Sequence, residues 1–215
     1  MNDLANLWGA LRAGGVTIVP LLGLAVVAAV VIVEKAFVYS TRSHLPPGLI
    51  RMIESAGFKW SELEQQLSEM NPKLYAGRFL RVLVESRRQP SWWVESRAGD
   101  EASVIEKALG RWTWVLETIV TAAPLLGLLG TITGMIRSFR LFGDQGLVDP
   151  AGVTGGVAEA LIATAVGLFI ALTALFAFNF FSQRRAQLMD ELERLGTRLV
   201  DRIRLDQEGL FDEVP

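Results

Sequence analysis

Charged residues along this chain are confined to blocks, and three long stretches between them are apolar. Ala13 to Val33 contains no ionisable side chain, Thr118 to Ile136 contains none, and Pro150 to Gln183 is interrupted only by Glu159. At about 1.5 Å rise per residue, each run is long enough to cross a hydrocarbon core of about 30 Å. The pattern predicts an all-α integral membrane protein with three transmembrane helices, over 14–38, 112–140 and 153–182.

The intervening segments carry helical periodicity of a different kind. Residues 39–111 read as a small helical domain in the first loop, punctuated by Pro46-Pro47 and Pro90. Ser61 and Glu64 have the spacing of a capping box, in which each side chain satisfies an otherwise unpaired N–H. Asn71-Pro72 suits a helix start before Leu74 to Arg88, with proline in the first helical position. Ile105, Leu109, Trp112, Leu116 and Ile119 alternate by four and three, which predicts one helix running directly into the second span. In the tail, 183–215, Leu188, Leu192, Leu195, Leu199 and Ile203 also share a face. Spans two and three are thus expected to project beyond the bilayer as packed helices. The alternative is an amphipathic tail lying on the membrane surface.

Charge sets the expected orientation. The segment before the first span holds one basic residue, Arg12; Glu34 to Arg111 holds twelve, and the tail after Gln183 holds six. Lysine and arginine accumulate on the cytoplasmic side. The loop and the C-terminus are therefore expected inside, with 1–13 and 141–152 outside. Arg137 and Arg140 fall on the external side and count against the rule without reversing it. The first apolar run lacks a basic leader and exceeds a signal-peptide core, so it reads as a retained anchor with Trp8 near one interface.

Composition narrows the chemistry. A net charge of −2 gives no electrostatic case for nucleic acid, and the absence of cysteine excludes a disulfide framework, a thiolate metal site and a cysteine nucleophile. One histidine, His44, cannot build a His-rich metal site. No P-loop and no nucleophile–base pattern occurs, so neither a catalytic residue, a metal nor a cofactor is called for, and an enzyme is not expected.

Candidate functional residues lie inside the apolar runs. Glu159 falls about two turns into the third span, where a carboxylate costs on the order of 3 kcal/mol and should face protein or water. If the span starts later, the same residue sits at the wet interface. Thr131 and Thr164 lie near the middle of their spans among small residues, and a hydroxyl there can order a water chain or bond its own helix carbonyl. Gly127, Gly130, Gly134 and Gly167 suit close helix approach in lipid, Gly130 to Gly134 being a GxxxG match. Pro124 breaks the hydrogen-bond ladder of the second span, and Pro20 is expected to do the same in the first. Phe176, Phe178, Phe180 and Phe181, followed by Arg184 and Arg185, fit a cytoplasmic boundary.

Two stretches resemble a known family. Ala123-Pro-Leu-Leu-Gly-Leu-Leu-Gly-Thr-Ile-Thr-Gly-Met-Ile136 looks like the second-span signature of the ExbB/TolQ/MotA proton-channel family. Gly156-Val-Ala-Glu-Ala-Leu-Ile-Ala-Thr-Ala-Val-Gly-Leu168 looks like its third-span signature. With the loop arrangement, the likeness covers nearly the whole chain and is nearer ExbB or TolQ than MotA.

The resemblance implies a homopentameric ring in the bacterial inner membrane, in contact with lipids. It encloses the single-span helices of an ExbD/TolR-like partner whose membrane aspartate carries the proton. It also implies a TonB-like or TolA-like effector that receives the work. Thr131 and Thr164 match the family's pore-lining threonines, and Glu159 its third-span glutamate. One departure is Ala171-Leu-Thr-Ala174, where Thr173 replaces the family's proline and puts its helix bend in doubt. The rival reading is a passive oligomeric scaffold that holds a partner without proton flow.

Overall fold

The structure is a computed structural model that describes residues 16–55, 57–140 and 150–209. Among them every regular element is a helix. In chain order these are α1 (Ile18–Arg42), α2 (Pro47–Glu54), α3 (Trp60–Glu69), α4 (Tyr75–Ser86), α5 (Ser91–Gly110), α6 (Thr113–Arg140) and α7 (Pro150–Gln207). α1, α6 and α7 each contain a stretch long and apolar enough to cross a membrane. The contacts divide the chain into two units: residues up to 33 with 112–181, and residues 34–111 with 182 onward. Trp8 and nearly all of the predicted external segments lie outside the described residues.

In the first unit, helices form because a chain in lipid must satisfy its backbone polar groups within itself. Their buried positions are mainly small: Ala28 on α1, Ala123 on α6, and Ala160, Ala163 and Ala174 on α7. Larger residues such as Val26, Val30, Leu125, Leu128 and Phe169 point outward. Pro20 does not break α1. It lies in the first turn of the helix, where the missing N–H has no ladder bond to lose. Pro124, in contrast, stands inside α6. α7 runs unbroken through Thr173, whose hydroxyl donates to the Phe169 carbonyl at 2.9 Å.

The second unit has a conventional apolar core. Leu188, Leu192, Leu195, Leu199 and Ile203 of α7 are all buried, packed with Leu63, Leu80, Leu83, Val94 and Ile105 from the loop helices. The tail is thus a packed helix here. Side chains from elsewhere in the unit satisfy the C-terminal carbonyls that each short helix leaves open. Arg202 donates to Ile53 in the last turn of α2 and to Ser55 just past it, at 3.1 and 2.7 Å. Arg81 donates to Leu67 in the last turn of α3 and to Met70 just past it, at 2.9 and 3.2 Å. Gln207 reaches Gln89 just past α4 at 2.6 Å, and Lys35 reaches Leu109 in the last turn of α5 at 2.8 Å. Cations suit these ends because the aligned peptide dipoles leave them negative.

Three expectations are corrected here. Ser61 and Glu64 make no capping box: Lys59 precedes the first residue of α3, so Ser61 lies inside the helix. Glu64 instead pairs with Arg87, whose guanidinium also sits 5.6 Å from the Trp60 ring centre. Pro72 is not in a helix; it lies in a turn closed by the Leu74 N–H on the Asn71 carbonyl, and α4 begins at Tyr75. The apolar stripe over 105–119 does not belong to one helix. α5 ends at Gly110 and α6 starts at Thr113, with Trp112 between them at φ 63°. A bulky residue in the left-handed region interrupts any helix, and the four aliphatic positions are buried while Trp112 is exposed.

Candidate functional site

The two signature stretches pack against each other within the first unit. Gly127 and Gly167 allow the closest approach. A Cβ on Gly167 would stand 2.5 Å from the Ala123 carbonyl oxygen, and one on Gly127 would stand 3.0 Å from Thr164 Cα. In both cases the obstacle is backbone, which cannot rotate away. Gly130 faces the Ala163 methyl and the Thr17 hydroxyl, and Gly134 faces the Ala160 methyl and the Gly156 carbonyl. The GxxxG pair is therefore occupied within the chain by α7. Small residues let two backbones meet where apolar burial supplies no drive between helices.

Thr164 makes use of that proximity. Its hydroxyl donates to the Gly127 carbonyl at 2.8 Å, a bond between helices 37 residues apart in sequence. Thr131, one turn beyond Gly127 on α6, is half-buried and donates to the Leu128 carbonyl of its own helix at 2.7 Å. Thr131 thus shows the expected bond to its own helix, whereas Thr164 makes a cross-helix bond that the sequence did not suggest. Each hydroxyl oxygen retains lone pairs that can accept a bond from water or another chain.

Glu159 is partly exposed and lies 3.6 Å from the Arg137 guanidinium. Arg137 had no place in the candidate set, being only a residue that opposed the charge rule. The available signal was positional: it precedes the end of α6 by three residues and so can meet the early turns of an antiparallel α7. Pro124 leaves the Val120 carbonyl without its ladder partner, because proline has no N–H to donate four residues on. Together with the two threonines, it places polar groups along α6 and α7 that water or a partner helix could use. No group of three His, Cys, Asp or Glu side chains suited to a metal occurs among the described residues.

Lys35 is another residue that sequence reasoning passed over. It lies in the second unit, its side chain fully buried, with the ammonium on Leu109 and 3.9 Å from Glu34. Glu34 and Lys35 are neighbours just past the first apolar run, and nothing local in the sequence distinguishes the one that is enclosed.

Comparison with known proteins agrees with the packed signatures. Residues 65–194 match the model of the MotA/TolQ/ExbB proton channel family. The chain is 32% identical over 190 residues to the biopolymer transport protein ExbB-like 1 of Synechocystis, covering 86% of this chain and 74% of that one. It is 30% identical over 190 residues to ExbB-like 3 of the same organism, covering 79% and 81%. It is also 36% identical over 87 residues to the biopolymer transport protein ExbB of Aquifex aeolicus, covering 40% and 59%.

Proposed function

The chain belongs to the MotA/TolQ/ExbB proton channel family, and from that premise we propose that it is the channel-forming stator subunit of a motor driven by the proton-motive force. In this reading several copies, five by family likeness, form a ring in the bacterial inner membrane. The N-terminus is outside, with the loop domain and C-terminus cytoplasmic. The ring encloses the single membrane helices of an ExbD/TolR-like partner. Its relatives are biopolymer transport proteins by name, and the work passes to a TonB-like or TolA-like effector of such transport.

The physical argument concerns what the apolar runs lack. A proton crossing lipid needs titratable stations, and the three runs offer only Glu159. Threonine hydroxyls can order water but cannot hold a charge as a carboxylate does. The main carrier therefore arrives on the partner as a membrane carboxylate. Neutralising it removes a buried charge and changes the position its helix prefers within the ring. The single observation that best supports this reading is the seam of the two family signatures, closed by glycines and bridged by the Thr164 hydroxyl.

The passive scaffold is favoured by one fact: both threonine hydroxyls already donate to backbone carbonyls. Thr164→Val tests the place of this hydroxyl in the pathway, because it keeps the shape and removes the hydroxyl, and proton uptake separates the two readings. The motor reading expects at least a tenfold loss of proton-driven output with assembly intact, against a stability loss of about 1 kcal/mol. Unchanged output removes Thr164 from the pathway. Voltage-dependent proton uptake by liposomes holding this chain and its partner then tests the motor directly. For Glu159, full activity in both Glu159→Gln and Glu159→Ala would assign it to interfacial solvation.

A further inference from the structure

An open groove of about 590 Å³ runs between α5 and the part of α7 that belongs to the second unit. Phe79, Ala102 and Gly196 form an apolar floor. The rims are acidic, with Glu95 and Glu106 from α5 and Glu193 and Asp201 from α7, against the one cation Arg204. Gly99 also lines the groove, and a Cβ built there would meet nothing within 4 Å. No contact within the chain requires glycine at this mid-helix position, where it costs about 1 kcal/mol relative to alanine.

A different side of the same helix has the complementary character. At 3.6 residues per turn, Trp93, Arg97, Val104 and Lys107 lie within about 80° of arc, centred about 120–140° around α5 from Gly99 and Glu106. All four are exposed, and the Arg97 guanidinium lies 5.6 Å from the Trp93 ring centre. Asp100 is on that side too, 4.0 Å from Arg97. One helix thus carries an acid-rimmed groove on one side and an apolar ridge with two cations on another.

We infer that the groove is occupied by a second copy of this chain, seated through that ridge, so that copies join head to tail. The inference deepens the proposed function, since it rests on the chain being a homo-oligomer. Arg97 and Lys107 of one copy meet the carboxylate rims of the next, while Trp93 and Val104 leave water for the floor. A contact between two different faces does not close as a two-fold pair. Repeated, it generates a ring when the rotation closes.

The chain contains no cysteine, so disulfides can form only between introduced residues. Gly99→Cys and Val104→Cys sit about 140° apart around one helix, with about 7.5 Å of rise between them, and cannot pair within a copy. In the full chain, oxidised in membranes, the double variant is expected to give a ladder of cross-linked multimers ending at the ring size, and each single variant to give no ladder. Glu193→Lys and Arg97→Glu are each expected to weaken self-association on the order of tenfold. Together they restore it to within about threefold. If the double variant stays uncross-linked while the unaltered chain runs as an oligomer on native gels, the groove is not the contact and the proposed function stands. If the unaltered chain is monomeric, both fail. Dimers from Gly99→Cys alone would overturn the head-to-tail order.

Discussion

In the first unit Leu128, Leu168 and Phe169 are exposed while Ala123, Ala163 and Ala174 are buried; in the second, Leu80, Leu192 and Leu199 are buried while charged side chains other than Lys35 take the surface or its edge. Both units are helical, and α1 and α7 run through both. The solvent for which each surface is built differs. Against lipid, a leucine gains nothing by turning inward, so close backbone approach and a few hydrogen bonds hold the helices together. Against water, removing large aliphatic side chains from solvent is the main drive, worth about 25 cal/mol per Å² of apolar surface.

The contrast can be broken most sharply with one substitution placed in both units. Leu199→Ala is expected to cost about 3 kcal/mol, since it empties a fully buried site, whereas Leu168→Ala should stay within about 0.5 kcal/mol. Urea unfolding of the chain in detergent, followed by tryptophan fluorescence, measures both. A large loss at Leu168 would show that its face is covered by something beyond the chain.

Next in size is the glycine seam. Gly167→Val should cost about 2 kcal/mol, because the new Cβ meets the Ala123 backbone. Gly155→Ala, where a Cβ meets nothing, should gain up to about 1 kcal/mol. Thermal stability in detergent ranks the pair, and equal effects would mean that the seam does not hold α6 to α7.

Lys35→Met keeps the buried stem and removes the bond to Leu109, so a loss of about 1.5 kcal/mol is expected. Hydrogen exchange at the end of α5 is the local readout, and unchanged protection there would show that the carbonyl finds another donor. The smallest effect is expected at Ser61→Ala, below about 0.5 kcal/mol by urea unfolding, because its hydroxyl caps nothing. A loss of a full kilocalorie would restore the capping box.

The site was partly legible from residue type and spacing. Gly127, Gly130, Gly134 and Gly167 stood out because glycine has little reason to recur in an apolar helix except close approach. Thr131 and Thr164 stood out among the threonines of these runs because each lies near the middle of its span among small residues. The bond from Thr164 to Gly127, and the arginine that meets Glu159, depend on how two helices are set against each other, which no local pattern encodes. The break at Arg111–Trp112 escaped for a related reason. The buried aliphatic positions keep helical spacing on both sides of it, and periodicity measures spacing without registering one residue of different φ.

From sequence alone came the three apolar helices, the amphipathic stripe of the tail, and the two family signatures. Each follows from side-chain character repeated along the chain, which needs no partner to be read. Tertiary structure alone decided which carbonyls Lys35, Arg81, Arg202 and Gln207 complete, and that the GxxxG face is filled by α7 of the same chain. A helix end and a close approach are each completed by residues distant in sequence, and only the folded chain brings those together.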